Sequence, residues 1–267
     1  MYETRYHRPA TLADAAKIFS GAEDGRYVAG GHTLIPTMKH RLAAPTDLVD
    51  VSRLSELKGI SESGGVLSIG AASTHYEVTT SAIVRKAIPA LAALAETIGD
   101  PAVRNKGTIG GSLANNDPGA DYPAAVLALG ARIVTNKREI AADDFFKGLF
   151  ETALEKGEII IKVAFPVPSK AAYEKFHSAA SRYALTGVFV AVTAGGEVRV
   201  AVTGAGAKGV FRAKDFERAL SGKLAPGAIE GLMVDPSGLL SDIHGSAEYR
   251  ANLVKVLAGR AVAALSG

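Results

Sequence analysis

The chain has 267 residues, of which 48% are hydrophobic and 21% charged, and 30 Lys and Arg against 27 Asp and Glu give a formal net charge of +3. This composition excludes a disordered chain and favours one large or two medium domains, and the scattered basic residues are weak evidence for a nucleic-acid partner. Because the chain has no cysteine, disulfides, thiolate metal sites and thiolate-bound iron–sulfur clusters are excluded within it.

The sequence predicts a soluble, cytoplasmic protein. Its opening, MYETRYHRPATLADAAKIF, has no apolar core of signal-peptide length, and no later run approaches the length of a membrane span. The absence of cysteine also fits a reducing compartment.

Short helices and strands alternate through the first 167 residues. A helix is predicted in TLADAAKIFSG, with Thr11 as its N-cap and Gly21 beyond its end. Short strands are predicted in RYVAGG, PTDLVDVS and GGVLSIGAAST. Residues 80–97 are predicted to be helical with an interruption at Pro89, because proline breaks a helix interior. The segment PAAVLALGARIVT changes from helix to strand, and EIIIKVAFPVP is a strand closed by two prolines.

The sequence pattern changes near Pro168. Two Val-rich strands flank Gly195 and Gly196 in GVFVAVTAGGEVRVAVTGAG, which predicts a hairpin. Two helices are predicted to follow, in AKDFERALSG and in GSAEYRANLVKVLAGRAVAAL. The chain is therefore α+β, with a larger unit over residues 1–167 and a smaller one over residues 168–267.

Two glycine loops carry the strongest local signal. The first follows a strand and contains Ala29, Gly30, Gly31, His32, Thr33 and Leu34; the second contains Thr108, Ile109, Gly110, Gly111 and Ser112. Glycine allows a positive φ and a close ligand approach, and successive N–H groups in such turns bind anions. Both loops together are predicted to clamp a diphosphate, with Asp117 and Asp121 accepting hydrogen bonds from ribose or ribityl hydroxyls.

The residues alone leave the ligand open. Neither loop is a G-x-G-x-x-G fingerprint or a P-loop, and two tight turns in an α+β core also explain the pattern. The histidines lack metal-ligand spacing, and Asp143 with Asp144 is typical of a helix start. Ser112 is not in a G-x-S-x-G elbow. We therefore predict no metal site and no catalytic residue in this chain.

The paired loops resemble those of a known family. AGGHTLIPTMK and DPAVRNKGTIGGSLANNDPGADYPA are similar to the FAD loops of the medium flavoprotein subunit of molybdenum hydroxylases, of the carbon monoxide dehydrogenase, xanthine dehydrogenase and aldehyde oxidoreductase type. The similarity extends over the whole chain. It implies a vanillyl-alcohol-oxidase-type fold, with two α/β subdomains that meet near residues 50–60. It also implies a C-terminal domain with a three-stranded antiparallel sheet and helices.

The resemblance also implies roles for individual residues. It places the first loop at the FAD pyrophosphate and the second loop towards the isoalloxazine end. It adds four FAD contacts outside the loops: Asn115, Asp121, Ile160 and Lys175. Tyr183 lies where some relatives have an aromatic residue beside the flavin. Because no histidine or cysteine stands out as a covalent tether, we expect non-covalent FAD.

The function that the resemblance implies is electron transfer within a larger enzyme. A large subunit carries the molybdenum cofactor, a small subunit relays electrons through [2Fe–2S] clusters, and the FAD of this chain passes them to an external acceptor; a dimer of heterotrimers is expected. Two alternatives remain at this point. One is a stand-alone FAD-dependent oxidoreductase of the same fold, and the other is a flavin-free assembly subunit. Intact loops disfavour the second, and the lack of an obvious substrate base disfavours the first.

Overall fold

The computed structural model describes residues 1–265. The strands are β1 (Arg5–His7), β2 (Gly25–Val28), β3 (Asp47–Asp50), β4 (Ile60–Ser63), β5 (Val66–Gly70), β6 (Arg132–Thr135), β7 (Glu139–Ala141), β8 (Phe146–Gly148), β9 (Glu151–Thr152), β10 (Ile160–Pro166), β11 (Lys170–His177), β12 (Ala184–Val192), β13 (Val198–Thr203) and β14 (Phe211–Arg212). The α-helices are α1 (Leu12–Gly21), α2 (Leu34–Lys39), α3 (His75–Thr80), α4 (Ala82–Ala87), α5 (Pro89–Glu96), α6 (Pro101–Arg104), α7 (Ile109–Asn115), α8 (Tyr122–Ala128), α9 (Ala142–Phe145), α10 (Lys214–Gly222) and α11 (Ala247–Leu265).

The first sheet is parallel, with strand order β1-β3-β2. Helix α1 packs on it and begins as predicted, because the Thr11 hydroxyl accepts a hydrogen bond from the N–H of Asp14. A small core forms between these elements around Ala15 and Val49, both of which are fully buried. The first glycine loop leaves this sheet at the carboxyl end of β2.

The second sheet is antiparallel, with strand order β4-β5-β10-β6-β7. Its apolar face packs against α5 and α8 in the largest cluster of buried side chains. The predicted change from helix to strand is confirmed by α8 and β6, and the strand predicted before two prolines is confirmed by β10.

The helical region predicted over residues 80–97 is divided into separate helices. Ser81 ends α3 and also caps α4, where its hydroxyl accepts from the N–H of Val84 at 3.4 Å. Pro89 begins α5 at a position where its missing N–H breaks no helical hydrogen bond. The interruption at Pro89 is therefore confirmed, and the additional break at Ser81 is a finding of the structure.

The third sheet is antiparallel, with strand order β11-β12-β13-β14. The predicted hairpin is confirmed by β12 and β13, and Gly196 adopts a φ of +85° in the turn between them. The resemblance implied three strands in this sheet, but the structure has four. The additional strand is β14, which has two residues and pairs with Ala201 and Val202 of β13. Phe211 and Arg212 are too short a segment to give an alternating sequence signal.

The third sheet is covered on both faces. Helix α8 lies on one face, and the two C-terminal helices α10 and α11 lie on the other. Both predicted C-terminal helices are confirmed. Within residues 1–265, no helix combines the length and apolar character needed to cross a membrane.

Candidate functional site

The first glycine loop connects β2 to α2 and is shaped by two different constraints. Gly31 has a φ of +71°, a left-handed conformation that glycine adopts without strain. Gly30 lies so close to the segment before the second loop that a Cβ there would be 2.2 Å from the carbonyl oxygen of Lys106. A side chain at residue 30 would therefore force the two loops apart.

The backbone donors of the first loop are available to a ligand. The N–H groups of Gly30, Gly31, His32 and Thr33 donate to no acceptor within the described part of the chain. His32 and Thr33 are exposed, and the Thr33 hydroxyl has no hydrogen-bond partner among residues 1–265. A row of free N–H groups around a left-handed residue is an arrangement that binds anions.

The second glycine loop is different, because its amides already serve the fold. The N–H of Ile109 donates to Ser73 O at 3.1 Å, and the N–H of Gly110 donates to Ala71 O at 2.9 Å. Thr108 is the N-cap of α7, where its hydroxyl accepts from the N–H of Gly111 at 3.1 Å. The N–H of Ser112 donates to Thr108 O at 3.0 Å.

The predicted second row of free amides is therefore wrong. The loop is the first turn of a helix, and helix capping uses the same N–H groups that an anion would need. Its glycines instead permit close packing, since a Cβ on Gly110 would be 2.6 Å from the Cβ of Ala71. The Ser112 hydroxyl has no partner in the part of the chain that the structure describes, so it is the free side-chain donor of this loop.

His75 lies against the segment that joins the two loops, a position that its sequence context does not predict. The backbone N–H of His75 donates to Gly107 O at 2.9 Å. A Cβ on Gly107 would be 2.5 Å from the ring Nε2 of His75. Burial lowers the pKa of His75 to about 4, and His32 and Arg104 add to this effect. The ring is therefore neutral at pH 7. A capping box begins α3 at this point, and that local pattern does not distinguish a buried histidine from an exposed one.

Asp121, Tyr173 and Lys175 form a buried polar network. The Tyr173 hydroxyl donates to Asp121 Oδ1 at 2.6 Å, and Lys175 Nζ donates to Asp121 Oδ2 at 3.0 Å. Burial raises the pKa of Asp121, and the opposing effects of Lys175 and Tyr173 do not fully offset it. Tyr173 and Lys175 thus use part of the acceptor capacity of the Asp121 carboxylate, and its predicted contact with ribose or ribityl hydroxyls stays a prediction.

The other predicted residues are distributed around this centre. Asn115 is the last residue of α7. Asp117 lies two residues later, and its Oδ1 accepts a hydrogen bond from the N–H of Gly119 at 2.9 Å. Tyr183 is 47% exposed and packs over Gly119, where a Cβ would be 3.1 Å from its Cδ1. Ile160 is 5% exposed within the large core cluster, and its predicted contact with the flavin stays a prediction.

Asn116 is a second residue that the sequence did not reveal. It ends α7 in the left-handed conformation, with a φ of +44°, and is buried. Its Nδ2 donates to Gly148 O at 2.8 Å and to Glu151 O at 2.9 Å. The helix of the second loop is thereby tied to the β8–β9 hairpin.

The site therefore has one row of free backbone donors, supported by Lys106 and Gly107, which directly precede the second loop. Such a row compensates negative charge without a lysine or arginine. The hydroxyls of Thr33 and Ser112, unpaired among residues 1–265, are further hydrogen-bond donors of the two loops. This chemistry fits the diphosphate of a dinucleotide.

Comparisons with known proteins agree with this assignment. Residues 2–168 match the family described as the FAD binding domain in molybdopterin dehydrogenase. The nicotine 6-hydroxylase medium subunit of Paenarthrobacter nicotinovorans is 36% identical over 97% of this chain and 95% of that protein. The glyceraldehyde dehydrogenase medium chain of Sulfolobus acidocaldarius is 36% identical over 97% of each. A solved structure of carbon monoxide dehydrogenase from Hydrogenophaga pseudoflava, which lacks the Mo-pyranopterin moiety of the molybdenum cofactor, matches with a TM-score of 0.90 at 33% identity and covers 99% of this chain and 97% of that chain.

Proposed function

Since the chain belongs to the family of FAD-binding medium subunits of molybdenum hydroxylases, we propose that it holds FAD at the first glycine loop and carries electrons within a multi-subunit dehydrogenase. The electrons come from [2Fe–2S] clusters of a partner subunit and leave to an external acceptor. Bound FAD supplies the ability to take up electrons singly and to release them in pairs. The observation that carries the proposal is the row of unpaired N–H groups at residues 30–33.

The first loop binds the diphosphate through its backbone. The N–H groups of Gly30, Gly31, His32 and Thr33 face no competing acceptor in residues 1–265, so their hydrogen bonds to phosphate cost no internal bond. Hydrogen bonds to an ionised acceptor are stronger than those between neutral groups. Backbone donors on a packed turn also need little ordering when the ligand binds.

The second loop and the two residues before it form a wall that sets the position of the first loop. Gly30 rests on the backbone of Lys106 and Gly107, and Gly107 rests on His75. Because Ile109 and Gly110 donate to carbonyls of the segment after β5, this wall is fixed to the second sheet. Ser112 contributes its hydroxyl, and we assign Gly111 a contact through its exposed Cα surface.

The remaining residues are proposed to contact other parts of FAD. Ala29 and Leu34 flank the free amides and supply apolar surface, and both are partly buried. Asn115 is assigned to polar groups of FAD, and Ile160 and Lys175 to the isoalloxazine end. Asp121 is assigned an indirect role through Lys175, since the two side chains form an ion pair with Nζ 2.9 Å from Oδ1.

The proposal includes the organisation of the chain and its assembly. The FAD-binding domain spans residues 1–167, in two subdomains of the vanillyl-alcohol-oxidase type that meet near residues 50–60, and the C-terminal domain spans residues 168–267. The first sheet ends at Asp50 and the second begins at Ile60, which supports this division. The partners are an iron–sulfur small subunit and a molybdopterin large subunit, in a cytoplasmic dimer of heterotrimers. We propose that the FAD is bound without a covalent link.

The test is the FAD content of a variant in which only the contact between the loops changes. In Gly30→Ala the new Cβ meets Lys106 O, so we expect FAD to bind at least roughly tenfold more weakly, which is about 1.4 kcal/mol. Bound FAD is measured by flavin absorbance in the purified chain. Gly21→Ala is the matched control, because a Cβ there has nothing within 4 Å. Equal FAD content in the two variants would contradict the proposed site.

A further inference from the structure

The polar network of Asp121, Tyr173 and Lys175 differs from a surface ion pair in its burial and in having a third member. The side chains of Asp121 and Lys175 are each only 5% exposed. Tyr173 donates a second hydrogen bond to the same carboxylate, at 2.6 Å. Charges withdrawn from water persist only where partners compensate them, so each member of this network depends on the other two.

The strand geometry brings the network together. Tyr173 and Lys175 are two residues apart on β11, so their side chains lie on the same face of the third sheet. Asp121 directly precedes α8, which packs on that sheet. Lys175 Nζ donates also to Thr97 O at 3.3 Å. The ammonium of Lys175 therefore has two acceptor groups within the protein, the Asp121 carboxylate and Thr97 O.

We propose that Asp121 and Tyr173 are positioning residues for Lys175, and that they set the flavin potential by fixing its ammonium and cancelling its charge. The inference rests on the proposed function, in which Lys175 contacts the isoalloxazine end of FAD. The Asp121–Lys175 pair carries no net charge, so the field at the flavin depends on how completely the carboxylate balances the ammonium. Tyr173 favours the charged carboxylate by donating to it.

This arrangement predicts potential shifts of opposite sign for its two charged members. Asp121→Asn leaves the charge of Lys175 unbalanced, which stabilises the electron-rich reduced state and raises the flavin potential. Tyr173→Phe weakens the carboxylate as a counter-charge, so it shifts the potential in the same direction by a smaller amount. Lys175→Met removes the cation and lowers the potential. The double variant Asp121→Asn/Lys175→Met removes both charges and returns the potential towards the wild-type value.

The experiment is a redox titration of the full chain with FAD bound, followed at the flavin absorption band, together with flavin content and thermal unfolding of each variant. Glu174→Gln is the control. It removes one negative charge from β11 between Tyr173 and Lys175, but on the opposite face of the strand. We expect its potential to equal that of the wild type, and the Asp121 and Lys175 variants to shift in opposite directions.

Three results would argue against the proposal, and they differ from one another. Unchanged potentials in Asp121→Asn and Tyr173→Phe, with a lowered Tm, would show that the network only holds α8 to the third sheet. Loss of flavin from both variants, with the fold retained, would show that Asp121 and Tyr173 are needed for FAD binding and do not set the flavin potential. Absence of flavin from the wild-type chain purified with its partners would contradict the proposed function itself.

Discussion

Gly30 and Gly31 are adjacent, but each position requires glycine for a different physical reason. Gly30 is required by space, since the carbonyl of Lys106 occupies the position of a Cβ, whereas Gly31 is required by its left-handed backbone. A single pair of glycines thus brings two distant segments into contact and leaves the N–H groups of the turn unpaired. The anion site is a property of the backbone, and its specificity has to come from the surrounding side chains.

The partners of individual N–H groups explain why the prediction of free amides was right for the first loop and wrong for the second. Both loops contain two adjacent glycines followed by a polar residue, and the first does have free amides. In the second, Thr108 also fits an N-cap pattern, but the carbonyls that accept from Ile109 and Gly110 belong to residues 71–73. Contacts between residues nearly forty positions apart leave no signal in a local motif.

His75 gives a prediction for the pH dependence of stability. Its pKa is lowered to about 4 by burial, whereas an unfolded chain has a histidine pKa of about 6.5. Between these values the unfolded state binds a proton that the folded state does not, so the free energy of unfolding decreases as the pH falls, by up to about 1.4 kcal/mol per pH unit. Urea unfolding of the wild type and His75→Phe at pH 7.5, 6, 5 and 4.5 measures this slope.

We expect a flatter slope in His75→Phe than in the wild type over the interval from pH 6.5 to 4. His177→Phe is the control, because His177 is exposed, and it should keep the wild-type slope. Equal slopes in the wild type and His75→Phe would mean that the buried ring does not contribute the expected linkage.

At the scale of elements, α7 links the second glycine loop to the β8–β9 hairpin. Asn116 makes this link by ending the helix in the left-handed conformation and by donating to Gly148 O and Glu151 O. The N–H of Phe150, itself at a φ of +57°, donates back to Asn116 O at 3.1 Å. The hairpin and α7 are therefore joined by hydrogen bonds, although α8 and the paired strands β6 and β7 separate them in the chain.

Substitution of Asn116 separates its side-chain role from its backbone role. Asn116→Gly keeps the left-handed conformation but leaves two carbonyls without their donor, for a loss of about 2 kcal/mol in the free energy of unfolding. Asn116→Ala loses the same bonds and adds about 1 kcal/mol, because alanine is unfavourable at a positive φ. Thermal or urea unfolding of the two variants checks the order.

The wild type should be most stable, followed by Asn116→Gly and then by Asn116→Ala. Asn115→Ala is the matched control one residue earlier in the same helix, and the side chain of Asn115 forms no hydrogen bond within the described residues. An Asn116→Ala variant as stable as Asn116→Gly would show that the left-handed cap is not a constraint on this helix.

Element types were more predictable from sequence than element boundaries. The long helix α11 and the hairpin of β12 and β13 have strong periodicity and were predicted with nearly the right limits. Strands such as β1 and β14 are too short for a period to emerge, and they form because a longer neighbouring strand offers its edge. The break at Ser81 depends on a cap that competes with helix continuation over a single residue.

At the scale of the whole molecule, the third sheet is joined to the FAD-binding region by buried polar contacts as well as by packing. Arg199 on β13 is only 8% exposed and donates to Leu127 O at 2.8 Å and to Asp143 Oδ2 at 2.8 Å. The network of Asp121 with Tyr173 and Lys175 forms a second junction between α8 and the same sheet. The resemblance to a family predicted the function, but these junctions follow only from the folded arrangement.

Amide hydrogen exchange of the full chain, with and without FAD, tests whether the first loop holds the diphosphate. Amides without a hydrogen-bond partner exchange rapidly, so residues 30–33 should exchange fast in the absence of FAD and become strongly protected when FAD is added. The amides of residues 109–112, which are already bonded within the chain, should be slow in both states. Protection that appears at residues 109–112 and not at residues 30–33 would contradict the assignment of the diphosphate to the first loop.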